Sequence, residues 1–386
     1  MTLLASPGTA PVLLQKYLRT EAASDLPPPH AVAGPVAWVQ KNLFSDWQSV
    51  VLTLIGGAIA AWAVYNLLDL FLFSAIFSGT DGTPCRAPDS GMCWPFIVQK
   101  MPYFMYGSYP VDQRWRVDIF LVAGAVMIFW LLWDKAPRKD IAAGLFFIVY
   151  PIVSFCLLSG LPAIGLRRVD TNDWGGISVS LLMSLVGIVF SLPFGILLAL
   201  GRRSKLPIIK VFCVVFIEFL RGVPFITVLF MAVRLLPLFV PYWLQPDKLL
   251  LPLIGTVMFA SAYMAEVVRG GLQAMPKGQF EGAMAMGLGY GQMMRLVILP
   301  QSLTMVIPGI VNTFIGLFKD TTLVVVVGVF DFLQVVVTAG KDLDWAGPRL
   351  LITAFTFAAM FYWVFCFGMS RYSLYMERKL SVGKQR

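Results

Sequence analysis

A chain of 386 residues that is 58% hydrophobic and only 13% charged falls outside the composition of soluble globular proteins, where about a quarter of residues carry charge. That composition excludes a soluble enzyme and requires a membrane, and because the apolar runs are continuous rather than alternating, the spans are helices and not barrel strands. The net charge of +9 reads as membrane topology and contact with anionic lipid, not as a nucleic-acid surface.

Residues 1–49 form a polar tail containing Pro27, Pro28 and Pro29. It lacks the short apolar core of a cleavable signal, so it is expected to be retained, as a mobile tail up to about Ala33 followed by an interfacial segment bearing Trp38, Phe44 and Trp47. Eight candidate spans follow, around Val50–Phe77, Val117–Trp133, Ile141–Leu161, Ile177–Leu200, Ile208–Leu236, Leu249–Val268, Leu303–Val327 and Leu350–Met369. The second is short, and the fifth and seventh contain charges. Three extra helices thus occupy residues 50–161, five helices occupy 174–377, and a tail runs over 378–386.

Placing the amino terminus inside puts Lys135, Arg138 and Lys139 in one cytoplasmic loop and Arg202, Arg203, Lys205 and Lys210 in the next, with Arg371, Arg378 and Lys379 at the carboxyl end. Both termini are then cytoplasmic, although Arg114, Arg116, Arg167 and Arg168 fall outside on this scheme. The long outer loop from about residue 78 to 116 carries Pro95, Pro102, Tyr103, Phe104, Tyr106 and Tyr109, read as aromatics along the headgroup belt. Within it, Cys85 and Cys93 can form a disulfide in an oxidising compartment, though spacing alone does not fix the geometry. Cys156, Cys213 and Cys366 read as small packing residues, and the sole histidine, His30, offers no partner cluster, so no metal site is expected.

Between the sixth and seventh spans lies a Gly- and Pro-punctuated stretch, about residues 270–300, which cannot cross lipid and must face water or a partner. Pro276 suits a first helical turn, Gln279 to Met286 continue the helix, Gly287, Gly289 and Gly291 permit a turn, and Gln292 to Ile298 resume a helix that Pro300 ends or kinks. Small residues at Gly282, Ala283 and Ala285 let another surface approach the backbone, and Glu281 offers one fixed charge. The blander alternative is an interfacial helix resting on lipid.

The string EGAMAMG at 281–287 with VILP at 297–300 resembles the EAA motif of bacterial ATP-binding-cassette importer permeases, with matching spacing. SAYMAEVVRGG at 261–271, GQFEGA at 278–283, LPQ at 299–301, FKDTTL at 318–323, WGGISVSL at 174–181 and EFLRGVPFITVLF at 218–230 are similar to the polar amino acid branch, the histidine and glutamine permease type. The extra amino-terminal helices resemble the general L-amino acid permease subunits. The resemblance covers roughly residues 174–375 and implies an all-α protein with a five-helix core of the type I importer fold. It implies that Gln279, Glu281, Gly282, Ala283, Gly287 and Pro300 belong to a coupling segment seated on a cytoplasmic ATPase dimer. That dimer would bind ATP and Mg, and this chain would bind no cofactor, in agreement with its lack of a G-x-x-x-x-G-K-[ST] loop. A second similar permease and a periplasmic amino acid binding protein would complete the inner-membrane importer. Three positions depart from the pattern: Gly282 replaces an alanine, loosening the short helix by up to about 1 kcal/mol, while Val223 and Val228 replace a threonine and a glutamine.

Charges within the spans cost about 2.5–3.5 kcal/mol each near mid-bilayer, so Glu218, Arg221, Lys319 and Asp320 must face protein or water. They are candidates for the substrate pathway, with Asn312, Thr313, Thr321 and Thr322 adding hydrogen-bonding groups and Pro308 and Gly316 allowing the helix to unwind. Glu218 and Arg221, three apart, can instead form a structural pair on one helix, and Lys319 with Asp320 likewise. Glu266 and Arg269 are expected to brace the coupling segment. The rivals to an ATP-driven amino acid importer are an ion-coupled secondary amino acid transporter and a scaffold without transport, separable by the need for ATP and by any solute flux.

Overall fold

The computed structural model describes residues 34–241 and 246–381; the expected mobile tail, His30 and residues 382–386 lie outside the described residues. Two compact units divide after Asp69. In the first, α1 (Pro35–Leu43) places its proline in the first turn, where a missing N–H is harmless. Helix α2 (Trp47–Leu68) starts where the Asp46 carboxylate accepts from the Ser49 amide at 2.7 Å. The Thr53 hydroxyl donates to the Leu43 carbonyl at 2.7 Å, joining the two helices. Leu52, Ile59, Trp62 and Tyr65 lie exposed around α2, the surface of a helix solvated by lipid.

The second unit contains α3 (Trp94–Tyr106), α4 (Trp115–Leu132), α5 (Lys139–Ser159), α6 (Ile177–Arg202), α7 (Pro207–Gly222), α8 (Phe225–Arg234), α9 (Leu250–Ala274) and α10 (Lys277–Ala285). It continues with α11 (residues 290–305), α12 (Ile307–Asp320), α13 (Phe332–Ala339) and α14 (Leu350–Ser381). Among the described residues seven helical stretches are long and apolar enough to cross a bilayer, or eight if α7 and its successor are one broken span. The continuous fifth span expected over 208–236 is therefore corrected: the chain turns by 113° between α7 and the stretch Phe225–Phe239. Val223 precedes Pro224, whose ring bars the helical region to the residue before it, and Val223 is accordingly extended at φ −111°, ψ 147°.

Helices α6 and α9 form the centre of the unit. Gly195 of α6 lets them approach closely, since a Cβ there would come within 2.7 Å of the Met264 side chain. Val117, Phe120, Phe146 and Tyr150 from α4 and α5 share one buried cluster with Trp174, Leu182, Met183 and Phe225. The expected division between residues 161 and 174 is thus crossed by a common core, and the compact units part only after Asp69.

The long connection between the first two spans is present, but the headgroup-belt reading of its aromatics is corrected for Phe96, Phe104 and Tyr109, which are buried. Residues 94–106 are helical, and Phe96 and Phe104 are fully buried, edge-on to each other at 5.9 Å. Phe96 meets Trp345 at 5.9 Å, while Phe104 meets Phe332 at 6.4 Å and Phe357 at 5.4 Å. Tyr109 is buried against Trp174 and donates to the Leu158 carbonyl at 2.7 Å. Cys85 and Cys93 are joined by a disulfide, their Cα atoms 5.7 Å apart. Lys100 pairs with Asp342, and the Arg86 guanidinium donates to the carbonyls of Leu343 and Asp344 at 3.3 and 3.1 Å.

A two-residue parallel pairing, β1 (Gly175–Gly176) with β2 (Phe330–Asp331), locks the start of α6 beside the start of α13. Gly176 has φ +72°, and a Cβ there would collide with the Phe104 carbonyl, so glycine is required. The fully buried Asp331 caps α13, accepting from the Leu333 and Gln334 amides at 3.1 and 3.0 Å and from the Tyr362 hydroxyl at 3.2 Å.

Candidate functional site: an exposed docking helix and a polar cavity

Helix α10 begins directly after Pro276, which occupies the cap position rather than the first turn. It ends in a paired closure: the Gly287 amide donates to the Met284 carbonyl at 2.9 Å and the Leu288 amide to the Ala283 carbonyl at 3.2 Å. Gly287 stands at φ +75°, the left-handed conformation that this helix ending requires. Ala283 is buried, and with Phe280 and Leu288 it packs on Leu272, Met275, Met293 and Ile298. Glu281, Gly282, Met284 and Met286 face outward, and a side chain at Gly282 would meet open space. Gln279, also exposed, accepts from the Gln301 amide at 3.0 Å.

The helix does not end at Pro300: a π-helical turn over Met294–Ile298 shifts the hydrogen-bond register just before it. Pro300 then sits in the first turn of the segment Leu299–Met305, and the helix runs on. The expected helix, turn and helix are present, with α10 as the solvent-facing arm.

A cavity of about 310 Å³ opens between α9 and α12, lined by Phe259 and Tyr263 on one side and Asn312, Thr313, Gly316 and Asp320 on the other. Spacings of four residues bring Asn312, Gly316 and Asp320 onto one face of α12. Gly316 causes no unwinding, since α12 is continuous from Ile307 to Asp320 and tightens to 3-10 geometry only at Thr321. Asp320 thus reaches the cavity, whereas Lys319 is exposed elsewhere and Thr321 is buried with its hydroxyl donating to the Phe318 carbonyl at 2.8 Å. Of the expected Lys319 and Asp320 pair, Asp320 lines this cavity and Lys319 does not.

Glu218 and Arg221 do not pair with each other, correcting the single-helix pair. The Arg202 guanidinium donates to Glu218 and to Glu266, each at 2.8 Å, and Arg221 lies 3.6 Å from Glu266. Arg269 donates to Glu266 at 2.7 Å. Long-range partners win because the side chains of α6, α7 and α9 converge where these helices cross. The sequence reading missed Tyr263 and the role of Arg202, although Tyr263 lies inside the SAYMAEVVRGG string and invited attention.

Residues 191–382 match the family described as binding-protein-dependent transport system inner membrane component. The inner membrane amino-acid ABC transporter permease protein YhdY of Escherichia coli (strain K12) is 45% identical over 360 residues, covering 93% of this chain and 96% of that protein. The glutamate/glutamine/aspartate/asparagine transport system permease protein BztC of Rhodobacter capsulatus is 37% identical and covers 94% of this chain and 98% of its own length. Among solved structures, an amino acid ABC transporter crystallised with histidines is 25% identical, with a TM-score of 0.46, covering 53% of this chain and 92% of that one.

Proposed function

Because this chain belongs to the family of binding-protein-dependent transport system inner membrane components, we propose that it is the membrane-spanning permease subunit of an ATP-binding-cassette importer for L-amino acids. It works in the bacterial inner membrane as a multi-pass protein. In this reading a cytoplasmic ATPase dimer binds ATP and Mg, a second similar permease completes the pore, and a periplasmic binding protein delivers the solute. Both termini face the cytoplasm, which puts α10 on the same side as Lys135, Arg138 and Lys139.

The observation that carries the proposal is α10 itself, a preformed helix held from within by Ala283 and turned off by Gly287, whose outer face presents Glu281, Met284 and Met286. Nothing in the connection of two spans demands such an element, since far shorter loops suffice. ATP-driven closure of the partner pushes on α10 and switches the α9–α12 cavity between the two sides, as alternating access requires. Asp320 accepts the ammonium group of an amino acid in that cavity, and Asn312 and Tyr263 supply further polar contacts. Glu218 and Arg221 act beside the pathway rather than in it.

Uptake of labelled L-amino acids into proteoliposomes holding the chain with its partner subunits, with and without internal ATP, tests this directly. ATP-dependent uptake is expected, and Glu281→Lys should abolish it together with ATPase co-purification while membrane insertion persists. Uptake driven by an ion gradient without ATP would overturn the reading in favour of secondary transport.

A further inference from the structure

Glu266 occupies a crossing that neither the docking helix nor the cavity explains. Its side chain is 14% exposed, and it meets Arg202 of α6 at 2.8 Å, Arg269 of α9 at 2.7 Å and Arg221 of α7 at 3.6 Å. Glu218 joins through Arg202. Three guanidiniums against two carboxylates leave a formal charge of +1, so the arginines share too few acceptors and their pairing can be redistributed.

Contacts lead away from this cluster in two directions. Toward the cavity, the Arg221 guanidinium lies 5.7 Å from the centre of the Tyr263 ring, which forms part of the cavity wall. Toward the docking helix, Arg203, next to Arg202, lies 5.8 Å from the ring centre of Phe280 on α10 and donates to the Leu272 carbonyl at 3.3 Å. Contacts therefore run from Tyr263 through Arg221, Glu266 and the Arg202–Arg203 corner to Phe280. Spatial continuity alone does not make a coupling path; an element that both ends can bias is also needed. The arginine-rich cluster is the candidate for one, because three guanidiniums converge on Glu266 and outnumber the carboxylates they share.

We propose that Glu266 is a positioning residue that couples the cavity to the docking helix, holding Arg221 against the cavity wall and Arg202 at the root of the Arg203–Phe280 contact. The inference rests on the importer reading above. Glu266 touches no solute; it determines whether a solute against Tyr263 and a displacement of α10 are felt by each other.

The test measures amino acid uptake and ATP hydrolysis in the same proteoliposomes, on the complete transporter, and reads their ratio. Native transporter that takes up nothing with ATP refutes the importer reading, whatever the variants do. With native uptake established, Glu266→Gln should lower uptake per ATP by about fivefold or more, the low end of coupling between linked sites, and Glu266→Asp should recover part of it. Arg203→Gln, which leaves every Glu266 contact in place, should lower the ratio in the same way. An unchanged ratio in either assembled variant overturns the proposal. If Glu266→Gln fails to assemble, Arg203→Gln decides alone, and failure of both marks the cluster as a structural brace and overturns it too.

Discussion

Asp320 and Lys319 are adjacent in sequence yet face different surroundings, and on the proposed importer reading that difference makes Asp320 the one to meet solute. A step of one residue on a helix rotates the side chain by roughly 100°, so Asp320 lines the cavity with Asn312 and Gly316 while Lys319 points away, exposed. A carboxylate in a small cavity beside an aromatic ring and an amide is suited to an ammonium group. Asp320→Asn preserves the shape and removes the charge, which should lower uptake at limiting substrate by roughly tenfold or more, given about 1.5–3 kcal/mol for a hydrogen bond to a charged group. Steady-state uptake against substrate concentration, with subunit co-purification as the control for assembly, would show it; uptake equal to native would move Asp320 out of the pathway. Lys319→Ala is expected to do less than Asp320→Asn, and the reverse order would exchange their roles.

Elements were legible in the sequence where the chain's own neighbours determine them. Helix α10 was readable from Pro276, from the small residues Gly282, Ala283 and Ala285 and from Gly287, because capping and turn formation are settled within a few residues. The break between α7 and α8 was equally local in origin, at Pro224, but an apolar run on both sides of it disguised two helices as one span. The burial of Phe96, Phe104 and Tyr109 was not legible, since their partners Trp345, Phe332, Phe357 and Trp174 lie far along the chain. Neither was the Glu266 cluster, whose arginines arrive from three helices. The local elements yield the sharper prediction. Gly287 at φ +75° cannot be replaced without strain of about 1–2 kcal/mol, so Gly287→Ala should reorient the end of α10 and weaken ATPase co-purification by about tenfold. Gly282→Ala, at a site where a side chain meets only open space, should instead firm the helix by up to about 1 kcal/mol without harming insertion. Equal co-purification of the native and Gly287→Ala chains would mean that the docking surface does not depend on this turn.

At the scale of the whole molecule, the segment from residue 70 to α3 acts as a wedge on one end of the core, inserted between the start of α6, the α13 helix and the start of α14. Aromatic packing of Phe96 and Phe104 and polar ties from Lys100 and Arg86 to residues 342–344 hold it there, while the Cys85–Cys93 disulfide closes a loop within the wedge itself. Their dependence on conditions differs. The Lys100 ammonium beside Asp342, aided by the Asp344 amide, holds the Asp342 carboxyl below the usual carboxylate range. A lowered folded-state value means that this contribution is present at neutral pH and lost only as pH falls through that lowered value. It is small in any case, since the pair is partly solvated. The disulfide closes a short loop, eight residues in separation, for which chain entropy gives about 2.5 kcal/mol. Replacing both cysteines by serine should therefore lower the thermal midpoint of the detergent-solubilised chain by several degrees, whereas Lys100→Met should lower it by far less at pH 7 and not at all in acid. The wedge packs against α13 and the first turn of α14, so its loosening should also raise proteolysis between residues 78 and 92 before the rest of the chain is cut. Should the double serine chain melt and resist protease like the native one, the aromatic packing and the Lys100 and Arg86 ties suffice to hold the wedge, and the disulfide contributes nothing to the native balance.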